Sequence, residues 1–127
     1  MKFALIAHDN KKPDMVAFVM RRLAFFNLDE IKIVATGTTG KMIKEAGVDK
    51  VETVQSGPMG GDAEIAAMVS RREITAVIFF RDPLGKHAHE VDVSMLMRLC
   101  DVHNVPLATN HKAGEILLEH YQKKINL

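Results

Sequence analysis

The chain has 127 residues, the length of one domain, and a formal net charge of +1. Apolar residues make up 47% and charged residues 26%, the balance of an ordinary soluble globular protein. Its Lys and Arg residues are scattered, which excludes general nucleic-acid binding and a membrane-surface role. We therefore expect one domain over residues 1–127, with neither nucleic acid nor membrane as a partner.

The cysteine count and the N-terminus indicate the compartment. Cys100 is the one cysteine, so no internal disulfide can form, and this favours a reducing, cytoplasmic location. Cys100 lies on a predicted helix face, which favours a buried small side chain over a nucleophile. The apolar run 3–7 is too short for a signal peptide, and no stretch approaches the roughly 20 apolar residues of a membrane span.

Five short apolar runs alternate with helical patterns along the chain. The predicted strands are 3–7, 31–35, 51–54, 76–80 and 105–108. The helical stripes between them are Met15, Val16, Val19, Met20 and Leu23; then Ile65, Ala66, Met68 and Val69; then Val93, Leu96, Met97 and Cys100. Further helices are predicted after Thr39 and over about 113–121. The alternation predicts a single-domain α/β, Rossmann-like three-layer fold with a five-stranded, mainly parallel sheet.

Polar, glycine-rich segments follow the predicted strands. Ligands of such sheets bind outside the carboxyl ends of the strands, so these segments are expected to share one site. One of them, after the second predicted strand, is Thr36-Gly37-Thr38-Thr39-Gly40, which opens a helix. Its glycines and exposed amides suit a phosphate, and its hydroxyls add donors. The alternative is a tight turn with a threonine N-cap.

The segment 56–62, Ser-Gly-Pro-Met-Gly-Gly-Asp, predicts an unusual backbone path that ends at Asp62. Asp62 is either a helix N-cap or a catalytic carboxylate brought close to a small substrate. The carboxylates expected at this edge are Asp9, Asp62, Asp82 and Asp92. Crowding and burial raise a carboxyl pKa, which suits a base that removes a proton next to a carbonyl. Asp82 could instead belong to an Asp-Pro turn, and Asp92 could cap a helix.

Histidines and one lysine complete the candidate set. His87 and His89 are spaced as two metal ligands could be, but the sequence has no HExxH motif and no cysteine cluster. We therefore expect no metal, and we predict His8 and His89 as hydrogen-bond donors to a carbonyl oxygen. Lys12 is predicted to bind phosphate, the alternative being an ordinary surface lysine.

Taken together, these segments resemble the methylglyoxal synthase family. The matching motifs, in order, are AHD with Lys12, ATGTTG, SGPMGGD, FFRDPL, HEVDV and PLATN, and they extend from residue 5 to residue 110. The resemblance implies a Rossmann-like fold assembled as a homohexamer. It also implies conversion of dihydroxyacetone phosphate to methylglyoxal and inorganic phosphate, without metal or organic cofactor. Inorganic phosphate would be a product and a candidate inhibitor.

By position, the resemblance assigns Asp62 as the proton acceptor. It assigns substrate contacts to His8, Lys12, Thr36, Gly37, Thr38, Thr39, Ser56, Gly57 and His89. Asp9, Asp82 and Asp92 match further acidic positions of the family's site. Ala88 and Val91 replace prolines that relatives often have, and the tail 121–127 lacks the arginine with which longer relatives reach a neighbouring subunit's phosphate.

Two other functions fit the same pattern. Domains of this fold serve as ligand-binding regulatory parts of carbamoyl phosphate synthetase, and such a module would not need Asp62. The 127-residue length and the full acidic set beside the phosphate loop favour an enzyme. The second alternative is a lyase or isomerase that acts on a related triose phosphate.

Overall fold

The computed structural model describes residues 1–86 and 90–126, in which helices flank both faces of one sheet. The strands are β1 (Lys2–Ala7), β2 (Lys32–Thr36), β3 (Glu52–Val54), β4 (Ala76–Phe80) and β5 (Leu107–Ala108). The α-helices are α1 (Lys12–Met20), α2 (Leu23–Phe26), α3 (Gly37–Glu45), α4 (Gly61–Ser70), α5 (Glu90–Val102) and α6 (His111–Lys124). Every strand pair is parallel, so the predicted α/β fold is confirmed and the sheet is wholly parallel.

The strand order, β3-β2-β1-β4-β5, decides where a ligand can bind. The chain moves outward from β1 through β2 to β3, and then returns to place β4 on the other side of β1. The segment after β1 leads to α1 on one face, whereas the segment after β4 leads to α5 on the other. Connections that diverge in this way open a crevice at the carboxyl ends of the strands.

Two hydrophobic cores, one on each face, hold the helices to the sheet. Along β1, Phe3 and Leu5 point into one core, and Ala4 and Ile6 point into the other, as the two-residue period of a strand requires. The first core packs against α1, α2, α3 and α6, and the second packs against α4 and α5. Burial on both faces explains why β1 and β4 were visible in the sequence as nearly continuous apolar runs, whereas the edge strand β3 is exposed or half-buried.

The first helical region differs from its prediction. The stripe from Met15 to Leu23 was expected to form one helix, but α1 ends at Met20, and α2 begins at Leu23. Arg22 has φ −134° and ψ 31°, which is outside the helical region, so the chain turns there. The turn leaves Met20 54% exposed, and Phe18, which the stripe omitted, is buried in its place.

Candidate active site

A cavity of about 360 Å³ lies at the carboxyl ends of β1, β2 and β3. Eight of the residues predicted for the site line it: His8, Asp9, Lys12, Thr36, Thr38, Ser56, Gly57 and Asp62. Its other lining residues are Ile6, Ala7, Pro58 and Lys86. The structure therefore brings together residues from three separate loops, as the rule for parallel sheets predicted.

The start of α3 forms one wall of this cavity. Thr36 occupies the N-cap position with extended backbone angles, and the helix begins at Gly37, earlier than predicted from the sequence. The first N–H groups of a helix have no carbonyl partner inside it, and the helix dipole places partial positive charge there. A Cβ on Gly37 would lie 3.5 Å from the backbone nitrogen of Ser56, so the second loop packs directly against this wall.

The turn that leads to Asp62 depends on two consecutive glycines. Gly60 has φ +99°, a left-handed conformation that side chains disfavour. A Cβ on Gly61 would lie 1.8 Å from the carbonyl oxygen of Gln55, closer than two such atoms can approach. The backbone N–H of Gly61 also donates to the carbonyl of Ser56 at 3.0 Å. The start of α4 therefore packs closely against the loop after β3, which the left-handed turn at residue 60 and the lack of a side chain at residue 61 allow.

Asp62 is fully buried, with 0% of its surface exposed, and it lines the cavity. It is the second residue of α4, and the N-cap position is Gly60. The N-cap interpretation of Asp62 is therefore wrong. A carboxylate in the first turn of a helix lies at the positive end of the helix dipole, which stabilises its negative charge.

His8 is buried, with 4% exposed, and its tautomer follows from its hydrogen bond. The backbone N–H of Asp82 donates to His8 Nδ1 at 2.8 Å. A nitrogen that accepts a hydrogen bond carries no proton, so the ring is neutral and its proton is on Nε2. The ring also packs edge-on against Phe79, with centroids 5.1 Å apart. His8 is thus held as a hydrogen-bond donor through Nε2.

Lys12 supplies a positive charge in the cavity wall. Its Nζ donates to Asp9 Oδ1 at 2.5 Å and to the carbonyl oxygen of Ala7 at 3.3 Å. The Lys12 side chain is 15% exposed, whereas that of Asp9 is 97% exposed. Asp9 therefore orients Lys12 from the solvent side, and its carboxylate is not in a buried acidic cluster.

The other two predicted carboxylates lie outside the set of cavity-lining residues. Asp82 accepts hydrogen bonds from Asn10 Nδ2 at 3.0 Å and from the backbone N–H of Leu84 at 3.1 Å, as expected for an Asp-Pro turn. Asp92 is half-buried in the first turn of α5.

The other predicted site residues are a threonine and two histidines. Thr39 is buried in the first turn of α3. His87 and His89 lie outside the described residues.

Sequence reasoning missed two residues that shape the site. Lys86 lines the cavity from the segment after β4. Nothing in the sequence distinguishes it from a solvated loop lysine. Glu64 Oε1 accepts the backbone N–H of Gln55 at 3.1 Å, and so ties the loop after β3 to α4. The position of Glu64 in the first turn of a helix that follows a glycine-rich loop could have indicated this bond, since carboxylates at that position often accept from backbone N–H groups.

Three further predictions concern a metal site, a membrane-spanning helix and the burial of Cys100. Within residues 1–86 and 90–126, no three His, Cys, Asp or Glu side chains are grouped as metal ligands. In the same residues, no helix has the length and apolarity needed to cross a membrane. Cys100 is fully buried, as predicted, and burial, with a smaller effect of the Asp101 charge, raises its thiol pKa to about 11.

Comparison with known proteins places this geometry in a family. The MGS-like domain family matches residues 15–109. A methylglyoxal synthase from Geobacillus sp. is 56% identical over 119 residues, which cover 94% of this chain and 84% of that protein. One from Borrelia garinii subsp. bavariensis is 52% identical over 121 residues, or 95% of this chain and 94% of that protein. The crystal structure of methylglyoxal synthase from Elizabethkingia anophelis superposes with a TM-score of 0.82 at 41% identity, and covers 92% of this chain and 76% of that one. The chain therefore belongs to the methylglyoxal synthase family.

Proposed function

We propose that this chain converts dihydroxyacetone phosphate to methylglyoxal and inorganic phosphate. The observation that carries the proposal is the position of Asp62, a fully buried carboxylate that opens into the same cavity as the start of α3. A base and an anion-binding helix start in one cavity are what an elimination of phosphate requires. The named relatives are methylglyoxal synthases, and they support the same reaction for this chain.

In this proposal the phosphate group binds at the wall formed by the start of α3. The N–H groups of Gly37 to Thr39 and the hydroxyls of Thr36 and Thr38 donate to its oxygens. Ser56 and Gly57 contact the same group from the neighbouring loop, and Lys12 and Lys86 supply positive charge. This arrangement directs the rest of the substrate toward Asp62.

Asp62 is the base in the first step. It removes a proton from the hydroxymethyl carbon, and the C–H electron pair forms the carbon–carbon double bond of an enediolate. His8 donates through Nε2–H to the carbonyl oxygen, on which the negative charge develops. His89 is proposed as a second donor, as the family resemblance implies. Asp9, Asp82 and Asp92 support these groups from the edge of the site.

The second step breaks the carbon–oxygen bond to phosphate. The hydroxyl on the former hydroxymethyl carbon loses its proton and becomes the aldehyde oxygen, while the central oxygen takes up a proton. The carbon–carbon double bond moves to the carbon that carried the phosphate, and phosphate leaves with the electron pair of the broken carbon–oxygen bond. The product is the enol of methylglyoxal, which becomes methylglyoxal by tautomerisation. This elimination is possible only when the breaking bond stands perpendicular to the enediolate plane, so the phosphate wall must hold it there. No step needs a metal or an organic cofactor.

Asp62→Asn tests the proposal, because it keeps the shape of the side chain and removes the base. We expect kcat to fall at least a hundredfold, the contribution typical of a general base, while substrate binding stays measurable. Methylglyoxal and free phosphate are measured together after addition of dihydroxyacetone phosphate. A variant that retains more than a tenth of wild-type turnover would show that the base is another residue.

Other outcomes separate the alternatives. A non-catalytic module would bind the triose phosphate but release no phosphate, and an isomerase would consume the substrate without releasing phosphate. Activity that is lost with a chelator and restored by a divalent ion would contradict the metal-free mechanism. We further propose that the chain acts in the cytoplasm as a homohexamer, by resemblance to the family, and sedimentation of the pure protein tests the assembly.

A further inference from the structure

A second cavity at the carboxyl edge of the sheet has no part in the proposed reaction. It lies beside the ends of β4 and β5 and at the start of α6, and its volume is about 660 Å³. Among the described residues it shares no lining residue with the catalytic cavity. We refer to it as the β4–β5 pocket.

The β4–β5 pocket is positively charged. Lys11, Arg81 and Lys112 line it, together with one carboxylate, that of Asp14. The Lys11 ammonium lies 3.9 Å from Asp14, and the Arg81 Nη2 lies 3.9 Å from Glu90 Oε2. Both distances exceed the length of a hydrogen bond, so these carboxylates only partly neutralise the charges of Lys11 and Arg81.

Arg81 has a donor that the described residues do not satisfy. Its Nε is buried and has no acceptor within residues 1–86 and 90–126. The Arg81 backbone N–H donates to the Thr109 carbonyl at 3.3 Å, which fixes the residue at the pocket. An unsatisfied donor on a charged group is costly, and an oxyanion that accepts from both Nε–H and Nη–H would satisfy it. About a third of the Arg81 side chain is exposed.

The start of α6 adds further donors to the same pocket. Asn110 is the N-cap, and its Oδ1 accepts from the backbone N–H of Ala113 at 2.9 Å. The N–H groups of His111 and Lys112 precede this bond, in the part of a helix where no internal carbonyl is available. The 14-residue helix also places partial positive charge at this end.

We propose that the β4–β5 pocket is a second anion site that binds a small oxyanion of the size and charge of inorganic phosphate. The guanidinium of Arg81 and the ammonium of Lys112 are its main contacts, and the start of α6 completes it. The site is independent of the proposed reaction, because it uses none of the residues assigned to the chemistry.

Titration of the whole protein with inorganic phosphate, followed by NMR, tests the site at its own atoms. The Arg81 Nε–H resonance, identified by its loss in Arg81→Lys, is expected to shift and saturate, together with the amides of His111 and Lys112. The amides of Gly37 and Thr38 report the catalytic cavity separately. Inorganic phosphate is not a substrate, so the result does not depend on turnover.

Matched lysine variants complete the test. Lys112→Met is expected to weaken phosphate binding at Arg81 about tenfold, the usual effect of losing a charged hydrogen bond. It should leave the affinity reported by Gly37 unchanged. Lys124→Met, an exposed position at the other end of α6, should change neither. A shift at Arg81 that never saturates, or equal affinities in the two variants, would overturn the proposal.

Discussion

Gly61→Ala tests how strictly the turn before α4 positions Asp62, the carboxylate that we propose as the base. The new Cβ would start 1.8 Å from the Gln55 carbonyl oxygen and would have to reach at least 3.0 Å, a movement of about 1.2 Å. Overpacking of this kind lowers the free energy of unfolding by about 1–3 kcal/mol. Because Asp62 is the next residue, it must move with the start of α4. Misplacement of a catalytic group by about 1 Å costs roughly a hundredfold in rate.

Gly60→Ala is the matched control for this change. Its Cβ would meet nothing within 4 Å, but the φ of +99° is strained for alanine. The strain costs about 1–2 kcal/mol, which is similar to the cost expected for Gly61→Ala. Thermal unfolding and the release of methylglyoxal from dihydroxyacetone phosphate are measured for both variants. We expect similar stabilities and a kcat/KM that is far lower for Gly61→Ala. Equal losses of activity, or a Gly61→Ala enzyme within threefold of wild type, would refute the reasoning.

Two further predictions concern other residues. Lys86→Met should raise KM about three- to tenfold and change kcat little, because it removes an exposed charge that we assign to ground-state phosphate binding. Lys41→Met, an exposed lysine outside the cavity lining, is its control, and a pure kcat effect would contradict the assignment. Cys100 should resist thiol reagents at pH 8 in the native protein. A pKa of about 11 leaves only about a thousandth of the thiol ionised, and the side chain is buried. Rapid native labelling, at the rate seen in denaturant, would contradict that burial.

Most of the fold could be predicted from the sequence because both faces of the central strands β1 and β4 are buried. Each strand was visible as an apolar run and lies within two residues of its predicted place. The rule that ligands bind at the carboxyl ends of parallel strands led to the expectation that the candidate residues lie together, and eight of them line one cavity. The break between α1 and α2 was not predictable, since Arg22 leaves the helical region without glycine or proline to mark it. The place of Lys86 depends on the path of the loop after β4, which no local pattern encodes.

The different roles that we propose for His8 and Asp62 depend on a hydrogen bond that could not be predicted from the sequence. The donor to His8 Nδ1 is the backbone N–H of Asp82, 74 residues away in the chain and adjacent only because β1 pairs with β4. That bond leaves the imidazole proton on Nε2, which is why we propose His8 as a hydrogen-bond donor and not as the base. We therefore propose a carboxylate as the base, and Asp62 is the one of the four predicted carboxylates that is fully buried and lines the cavity. In the proposed mechanism, the strand pairing that builds the sheet therefore also determines that His8 donates a hydrogen bond and that Asp62 removes the proton.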